Sequence, residues 1–239
     1  MERETVLIVG ASGDIGQAIA KQLADLDYQL ILHYHRNVRA LDQLKKNIPN
    51  EQIVAEVQAD LTKTSDIEQF IKRINFSIQK IVFASGIQHF GLFQETTEET
   101  MEQMLTLHVK APWLITKHIL PQMIRQRKGK IVLITSIWGT FGASYEVIYS
   151  TLKGAQNSFV KALAKEVAPS GISVNAVSPG FIETKMNDHL AEEEKEAIIS
   201  DIPMNRAGTV YDIANAVCFL LDEKSSYIQG EIVHVTGGW

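Results

Sequence analysis

The stretch TVLIVGASGDIGQAIAKQLADL, residues 5–26, constrains the fold more than any other part of the chain. Thr5–Val9 is a short apolar run that stops at Gly10 and reads as a buried strand. Residues 14–26 then carry Ile15, Ala18, Ile19 and Leu23 at helical spacing. A strand, a glycine-rich turn and a helix in direct succession are the context a dinucleotide fingerprint requires. Glycines let the backbone come close to a pyrophosphate, and the helix amino terminus supplies N–H donors. Gly10, Ser12, Gly13, Asp14, Ile15 and Gly16 are therefore the expected cradle residues.

Further strands are expected at 30–34, 53–58, 81–83, 130–135, 172–177 and 231–235. Helices are expected at 64–74, at about 98–126 with Pro112 as a kink, at 149–166 and at 210–221. On the helix from Tyr149, the residues Ala155, Phe159, Ala162 and Leu163 mark an apolar face. The expected architecture is α/β: a single Rossmann-type doubly wound domain over residues 1–239, with a seven-stranded parallel sheet and helices on both faces. A chain of 239 residues suits one such domain, and no linker, repeat or low-complexity segment divides it.

The end of the second strand bears on the cofactor. An acidic residue there suits the ribose 2′-OH of NAD, whereas an arginine suits the 2′-phosphate of NADP. The sequence offers His33, Tyr34, His35 and Arg36, and no acid. Arg36 points to NADP(H); the competing reading is a solvated loop arginine. His33 and His35 alternate along a strand with no third ligand nearby, so no metal site is expected.

Ser136, Tyr149 and Lys153 lie in TSIWGTFGASYEVIYSTLKGA. Tyr149 and Lys153 are one helical turn apart on one face. A free phenol titrates near pH ~10, and an adjacent ammonium is expected to lower that value toward neutrality. Ser136 ends a strand and could hold a substrate oxygen against the Tyr149 hydroxyl. A Tyr-xxx-Lys pair alone is weak in a chain with six tyrosines; its position after a nucleotide-binding pattern is what gives it weight.

The whole set of GASGDIG, ADL (59–61), TSIWG, YSTLK, VNAVSPGFIET (174–184) and the ending GEIVHVTGGW resembles the short-chain dehydrogenase/reductase family. The resemblance spans almost the entire chain. It implies that Asp60 holds the adenine ring with Leu61 beside it. It also implies that Gly86 lets the backbone approach the nicotinamide ribose, and that Pro179, Gly180, Ile182 and Thr184 contact the nicotinamide end. Tyr149 and Lys153 would meet the cofactor ribose, and the helix that carries them would pack in the interface of a homotetramer. Where the family has a fourth catalytic residue, an asparagine that holds a proton-relaying water, alignment places His108; a relay and a buried structural histidine are both open readings. Other departures are Val9, Phe83 and Ala84, and Asp14 in place of a glycine, where its carboxylate is expected to turn outward and cap the helix.

Within that family the chain is most similar to 3-oxoacyl-(acyl-carrier-protein) reductases of fatty acid biosynthesis. Its catalytic segment also resembles elongation factor P 5-aminopentanone reductases. These imply an NADPH-dependent reduction of a ketone carried on acyl carrier protein or on a protein lysine. A catalytically silent NADP-binding sensor or scaffold is the reading from another class. The basic residues Arg125, Arg127, Lys128 and Lys130 suit either an acidic carrier or a helix carboxyl terminus. Residues 187–205 read either as a lid over substrate or as a solvated acidic helix.

A formal charge of −5 argues against a nucleic-acid partner. Cys218 is the only cysteine and sits in an apolar stripe, which excludes an internal disulfide. No membrane span and no signal peptide are expected, and a cytoplasmic location follows as the default.

Overall fold

The computed structural model describes residues 3–188 and 190–239. Among these, seven strands form one parallel sheet: β1 (Thr5–Val9), β2 (Gln29–Tyr34), β3 (Ile53–Gln58), β4 (Lys80–Phe83), β5 (Gly129–Ile134), β6 (Ile172–Pro179) and β7 (Ile232–Val235). Their order is β3-β2-β1-β4-β5-β6-β7, with every neighbouring pair parallel. The order reverses at β1, which starts the left half and borders the right half. Ligands of such sheets bind beyond the carboxyl ends of the strands at that reversal.

Alternation along each strand sends successive side chains to opposite faces. Val6, Ile8, Leu30, Leu32, Val82 and Val132 pack with α1 (Asp14–Asp25), α2 (Val38–Lys45) and the helix at 210–221. Leu7, Val9, Ile31, Ile81, Ile131 and Leu133 pack on the other face, against α3 (Thr64–Arg73) and two long helices described below. Both faces of the central strands are dry, which is why the strand segments read as unbroken apolar runs.

The segment expected as one helix over 98–126 is three pieces. α4 (Glu98–Leu105) passes into a π-helical turn, Thr106–Lys110, and then α5 (Ala111–Gln126). Pro112 stands in the first turn of α5, where a proline is tolerated, and the break lies before it. Pro112 has no N–H to return to the His108 carbonyl four residues back. The Gln156 side chain donates to that carbonyl instead, at 2.7 Å. The irregular turn is thus held from outside, by the helix that carries Tyr149.

A short helix α6 (Trp138–Phe141) precedes α7 (Val147–Val167); α8 (Glu192–Asp201) and α9 (Val210–Leu221) complete the chain. The buried residues of α7 are Tyr149, Leu152, Lys153, Gln156, Asn157, Val160, Ala164 and Val167. The apolar face expected from the sequence is a different one: Ala155, Phe159 and Leu163 are half-buried and Ala162 is exposed. Phe159 meets the partly exposed ring of Trp113 from α5, at 6.3 Å between centroids. Among the described residues no helix is long and apolar enough to cross a membrane.

Candidate active site

The carboxyl edge of the sheet gathers the singled-out residues in two groups. The first is the turn after β1. Gly10 has φ +95, and a Cβ there would stand 2.6 Å from Ser85 N, so the turn can lie against the end of β4 only as glycine. Gly13 precedes α1 and gives the helix no side-chain cap. A Cβ on Gly13 would meet nothing closer than 3.5 Å, so the space beside the helix amino terminus is open. Uncapped N–H groups facing free space make an anion cradle. Ser12, Ile15 and Gly16 complete the turn, and the Ser12 carbonyl accepts from Gln17 Nε2 at 3.2 Å.

The turn is braced by His33, whose part the sequence did not reveal. His33 is buried on β2. Its Nδ1 accepts from Gly10 N at 3.1 Å, and its Nε2 donates to Ala59 O at 3.2 Å. One neutral imidazole therefore spans from the cradle to the end of β3. Burial pushes its pKa down to about 4, against the pull of the Ala59 carbonyl. A buried imidazole between a backbone donor and a backbone acceptor is a tertiary arrangement, and an alternating strand pattern carries no trace of it.

Asp14 does not cap α1. Its Oδ2 accepts from Lys185 N at 2.8 Å, and its Oδ1 stands 3.8 Å from Lys185 Nζ. The residue that replaces a glycine thus ties the cradle to the short helical turn Lys185–Asn187 that follows β6. This contact joins residues 171 positions apart in the chain, which explains why helix-capping logic missed it.

Arg36 is exposed at the end of β2, just before α2. Beside it, His35 Nε2 lies 3.7 Å from Asp60 Oδ2. Asp60 also accepts from Thr62 N at 3.1 Å and Thr62 Oγ1 at 2.6 Å, forming the turn into α3. The Leu61 side chain is buried in the core with Ile67 and Phe70, so only its backbone is left to meet a ligand.

The second group lies at the ends of β4, β5 and β6. Ser136 follows β5, and Tyr149 and Lys153 face it from α7. Gly139 makes this approach close, since a Cβ there would stand 2.7 Å from the Lys153 carbonyl carbon. The three side chains are all buried; the Ser136 hydroxyl accepts from Trp138 N at 3.2 Å and is close enough to the Tyr149 hydroxyl to favour its ionised form. Lys153 Nζ lies 5.4 Å from the Tyr149 ring centroid and donates to Ile134 O at 2.9 Å.

The electrostatics differ from the expected ones. Burial raises the Tyr149 pKa, the Glu146 carboxylate adds to the rise, and the nearby Ser136 hydroxyl only partly opposes it. Burial lowers Lys153 to about 7. The amine sits over the ring face and is turned to a backbone carbonyl, and its charge does not offset the desolvation of the phenol. A sequence-based expectation that placed the two groups one turn apart could not weigh their shared desolvation.

His108, in the π turn, is fully buried, and its ring meets the Tyr149 ring edge-on at 5.7 Å. Nε2 lies 2.8 Å from Ile87 O and 3.2 Å from Ile87 N. Either tautomer therefore finds a partner at Nε2. Nδ1 has no hydrogen-bond partner among the described residues. Burial, with the Lys153 charge acting in the same sense, lowers the pKa to about 3 and keeps the ring neutral. Gly86 faces this ring, where a Cβ would lie 3.1 Å from Cε1.

Two further residues were not picked from the sequence. Glu146, buried just before α7, accepts from Gln88 Nε2 at 2.7 Å, and Gln88 Oε1 is a buried acceptor with no donor among the described residues. Pro179, at the end of β6, accepts from Ile137 N at 3.1 Å, and Gly180 N donates to Val235 O at 3.0 Å. The segment beyond passes through buried Ile182 and half-buried Thr184 to the Asp14 tie. A separate cavity of about 610 Å³, lined in part by Phe181, Arg206, His234 and Thr236, holds none of Ser136, Tyr149 and Lys153; chemistry, not volume, marks the site.

The donor set at the first group fits a dinucleotide: an open, uncapped helix terminus, a glycine turn against β4 and an exposed arginine at the end of β2. Among the described residues no group of three or more histidine, cysteine or acidic side chains could hold a metal ion.

Comparison with known proteins places the chain as follows. Residues 10–239 match the family model described as enoyl-(acyl carrier protein) reductase. The chain is 47% identical to the uncharacterized oxidoreductase YmfI of Bacillus subtilis over 238 residues, covering 99% of this chain and 98% of that one. It is 37% identical to the 3-oxoacyl-[acyl-carrier-protein] reductase FabG of Rickettsia bellii, covering 98% and 96%. A crystal structure from Beutenbergia cavernae, provisionally named an NAD(P)-dependent gluconate 5-dehydrogenase and holding NADP at low occupancy, superposes with a TM-score of 0.93 at 26% identity. That match covers 99% of this chain and 96% of the other.

Proposed function

The chain belongs to the short-chain dehydrogenase/reductase family of oxidoreductases, and on that premise we propose that it reduces a ketone to a secondary alcohol with NADPH, as a 3-oxoacyl-(acyl-carrier-protein) reductase-like enzyme. The observation that carries this reading is the convergence of Ser136, Tyr149 and Lys153 in one buried cluster. On this reading residues 1–239 act as one NADP-binding unit. Gly10, Ser12, Gly13, Asp14, Ile15 and Gly16 would hold the pyrophosphate, Arg36 the 2′-phosphate, and Asp60 with the Leu61 backbone the adenine. Gly86, Pro179, Gly180, Ile182 and Thr184 would border the nicotinamide end. When bound, the cofactor supplies the hydride.

The Ser136 hydroxyl holds the substrate carbonyl oxygen, and the Tyr149 hydroxyl gives that oxygen its proton as negative charge develops. The raised Tyr149 pKa means the phenol starts fully protonated, as a proton donor must. Lys153 binds the cofactor ribose and, once protonated, stabilises the phenolate that remains. His108 stays neutral with Nε2 held at Ile87, and its Nδ1, partnerless among the described residues and facing the cluster, can hold a water through which the proton returns from solvent. The Trp113 and Phe159 rings on α5 and α7 suit a face shared between subunits of a homotetramer.

A second substrate reading has an observation of its own. Glu146 and Gln88 put a buried carboxylate and an unmatched acceptor beside Tyr149. Such a pair complements an ammonium, as in the ketone carried on a protein lysine that elongation factor P 5-aminopentanone reductases use. An acyl thioester offers no cation to it.

Purified protein with NADPH tests the proposal. Acetoacetyl thioesters and an aminoketone on a protein lysine are compared as substrates, following absorbance at the nicotinamide band. Tyr149→Phe is expected to abolish turnover and leave NADP(H) binding intact. Tight NADPH binding without turnover of any ketone would favour the silent sensor.

A further inference from the structure

At the opposite edge of the sheet from Ser136, the amino ends of β4, β5 and β6 open into a cavity of about 440 Å³. Lys80, Lys128, Lys130, Ser173, Tyr227 and one carboxylate, Glu223, are among its lining residues. The ladder register places Lys80 beside Lys130, and Lys130 beside Ser173. Register neighbours on adjacent strands are about 4.8 Å apart with side chains on the same face. Two lysines side by side are mutually unfavourable unless anions compensate them.

Compensation is uneven. Lys80 is 2% exposed, lies 2.6 Å from Glu4 Oε2 and donates to Tyr28 Oη at 2.8 Å. Lys128 pairs with the other Glu4 oxygen and stands 4.0 Å from Glu223. Lys130 is 5% exposed, yet its ammonium donates only to a hydroxyl, Ser225 Oγ at 3.2 Å, and no carboxylate among the described residues lies within ion-pair reach. Burial holds its pKa below the usual lysine range, and the Lys80 charge acts in the same sense, against Glu223, Asp222 and Glu4. Three amines meet two carboxylates, Glu4 and Glu223, around this recess, which leaves one positive charge in excess, and Lys130 is the amine without an ion pair among the described residues.

We infer that this recess is a binding site for a small oxyanion ligand, with Lys130 and Lys128 as its cationic contacts and the Ser173 hydroxyl beside them. An anion seated there would give Lys130 the counter-charge that it lacks and relieve its repulsion with Lys80. The volume is enough for a phosphorylated or dicarboxylic small molecule. Lys80 and Lys130 are recessed, which suits a small ligand better than the broad acidic surface of a carrier protein. β5 separates Lys130 from Ser136 by about 20 Å at its rise per residue, so this site is distinct from the ketone site.

The test uses protein saturated with NADP(H), so that cofactor phosphate contacts are filled. Thermal unfolding is followed against inorganic phosphate and, separately, malonate, at ionic strength matched with sodium chloride. At about five times the dissociation constant, the midpoint is expected to rise by about 2–4 °C. A response to phosphate alone assigns a phosphate ligand, and a response to malonate a carboxylate ligand. Lys130→Met and Lys128→Met should each reduce the rise, whereas Lys165→Met, on the exposed side of α7, should keep it. Ketone reduction by each variant should stay within about twofold of the parent. Equal rises in the parent and both cavity variants, or no rise with either anion, would overturn the site. Because the readout is independent of turnover, it stands apart from the choice of ketone.

Discussion

Replacing His33 with glutamine separates a bracing histidine from a bystander. In the folded protein His33 is neutral, holding Gly10 N through Nδ1, with its pKa pushed by burial from 6.5 to about 4. The sign follows from proton uptake. Between those two values the unfolded chain binds a proton that the folded chain refuses. Stability is therefore full above pH 6.5 and falls as the pH drops toward 4. The whole displacement corresponds to ~3 kcal/mol, of which ~2 kcal/mol is already lost at pH 5. Glutamine keeps a carbonyl that can accept from Gly10 but cannot bridge to Ala59, at a cost of about 1 kcal/mol for one hydrogen bond. It takes up no proton. Urea unfolding at fixed protein concentration, followed by far-UV circular dichroism from pH 7.5 to 5, reads both effects. The variant should be less stable by about 1 kcal/mol at pH 7.5 and more stable by about 1 kcal/mol at pH 5. His108, also depressed by burial, steepens both curves equally and drops out of the difference. A gap that stays constant with pH would refute the reasoning, because His33 would then titrate alike in both states.

Three further outcomes are expected. Arg36→Ala should weaken NADPH roughly 10- to 100-fold, the worth of a charge-assisted hydrogen bond, and barely affect NADH; equal losses in a binding titration would move the 2′-phosphate elsewhere. His108→Asn should keep kcat within about tenfold, since an amide also accepts and donates, whereas His108→Leu should lower it by about 10²-fold or more; equal rates for the two would leave His108 a packing residue. Asp14→Gly should speed proteolysis between residues 185 and 201 and change global stability by under ~1 kcal/mol, as suits a partly exposed contact. Asp14→Asn, which still accepts from Lys185 N, should be cut at nearly the parent rate; identical cutting of all three would remove the tie.

Much of the fold was legible because it is written in short-range patterns. Apolar runs ending in glycine marked β1 and its turn, and helical spacing gave α9 as Val210–Leu221 to the residue. Ser136, Tyr149 and Lys153 could be picked out because a strand end and a single helical turn suffice to align them. The sequence by itself also determined that Arg36, and no acid, ends β2. What it could not carry is anything set by contacts across the chain. The π turn at His108 exists because Gln156, on another helix, satisfies its carbonyl. Asp14 serves Lys185 and not its own helix. The basic residues near 128 split, since Lys128 and Lys130 turn to the edge of the sheet remote from Ser136, where Glu4 and Ser225 meet them. The electrostatics of the cluster depend on burial most of all. Adjacency suggested a phenol made acidic by its lysine, but desolvation of both groups, which only the packed structure imposes, raises one and lowers the other.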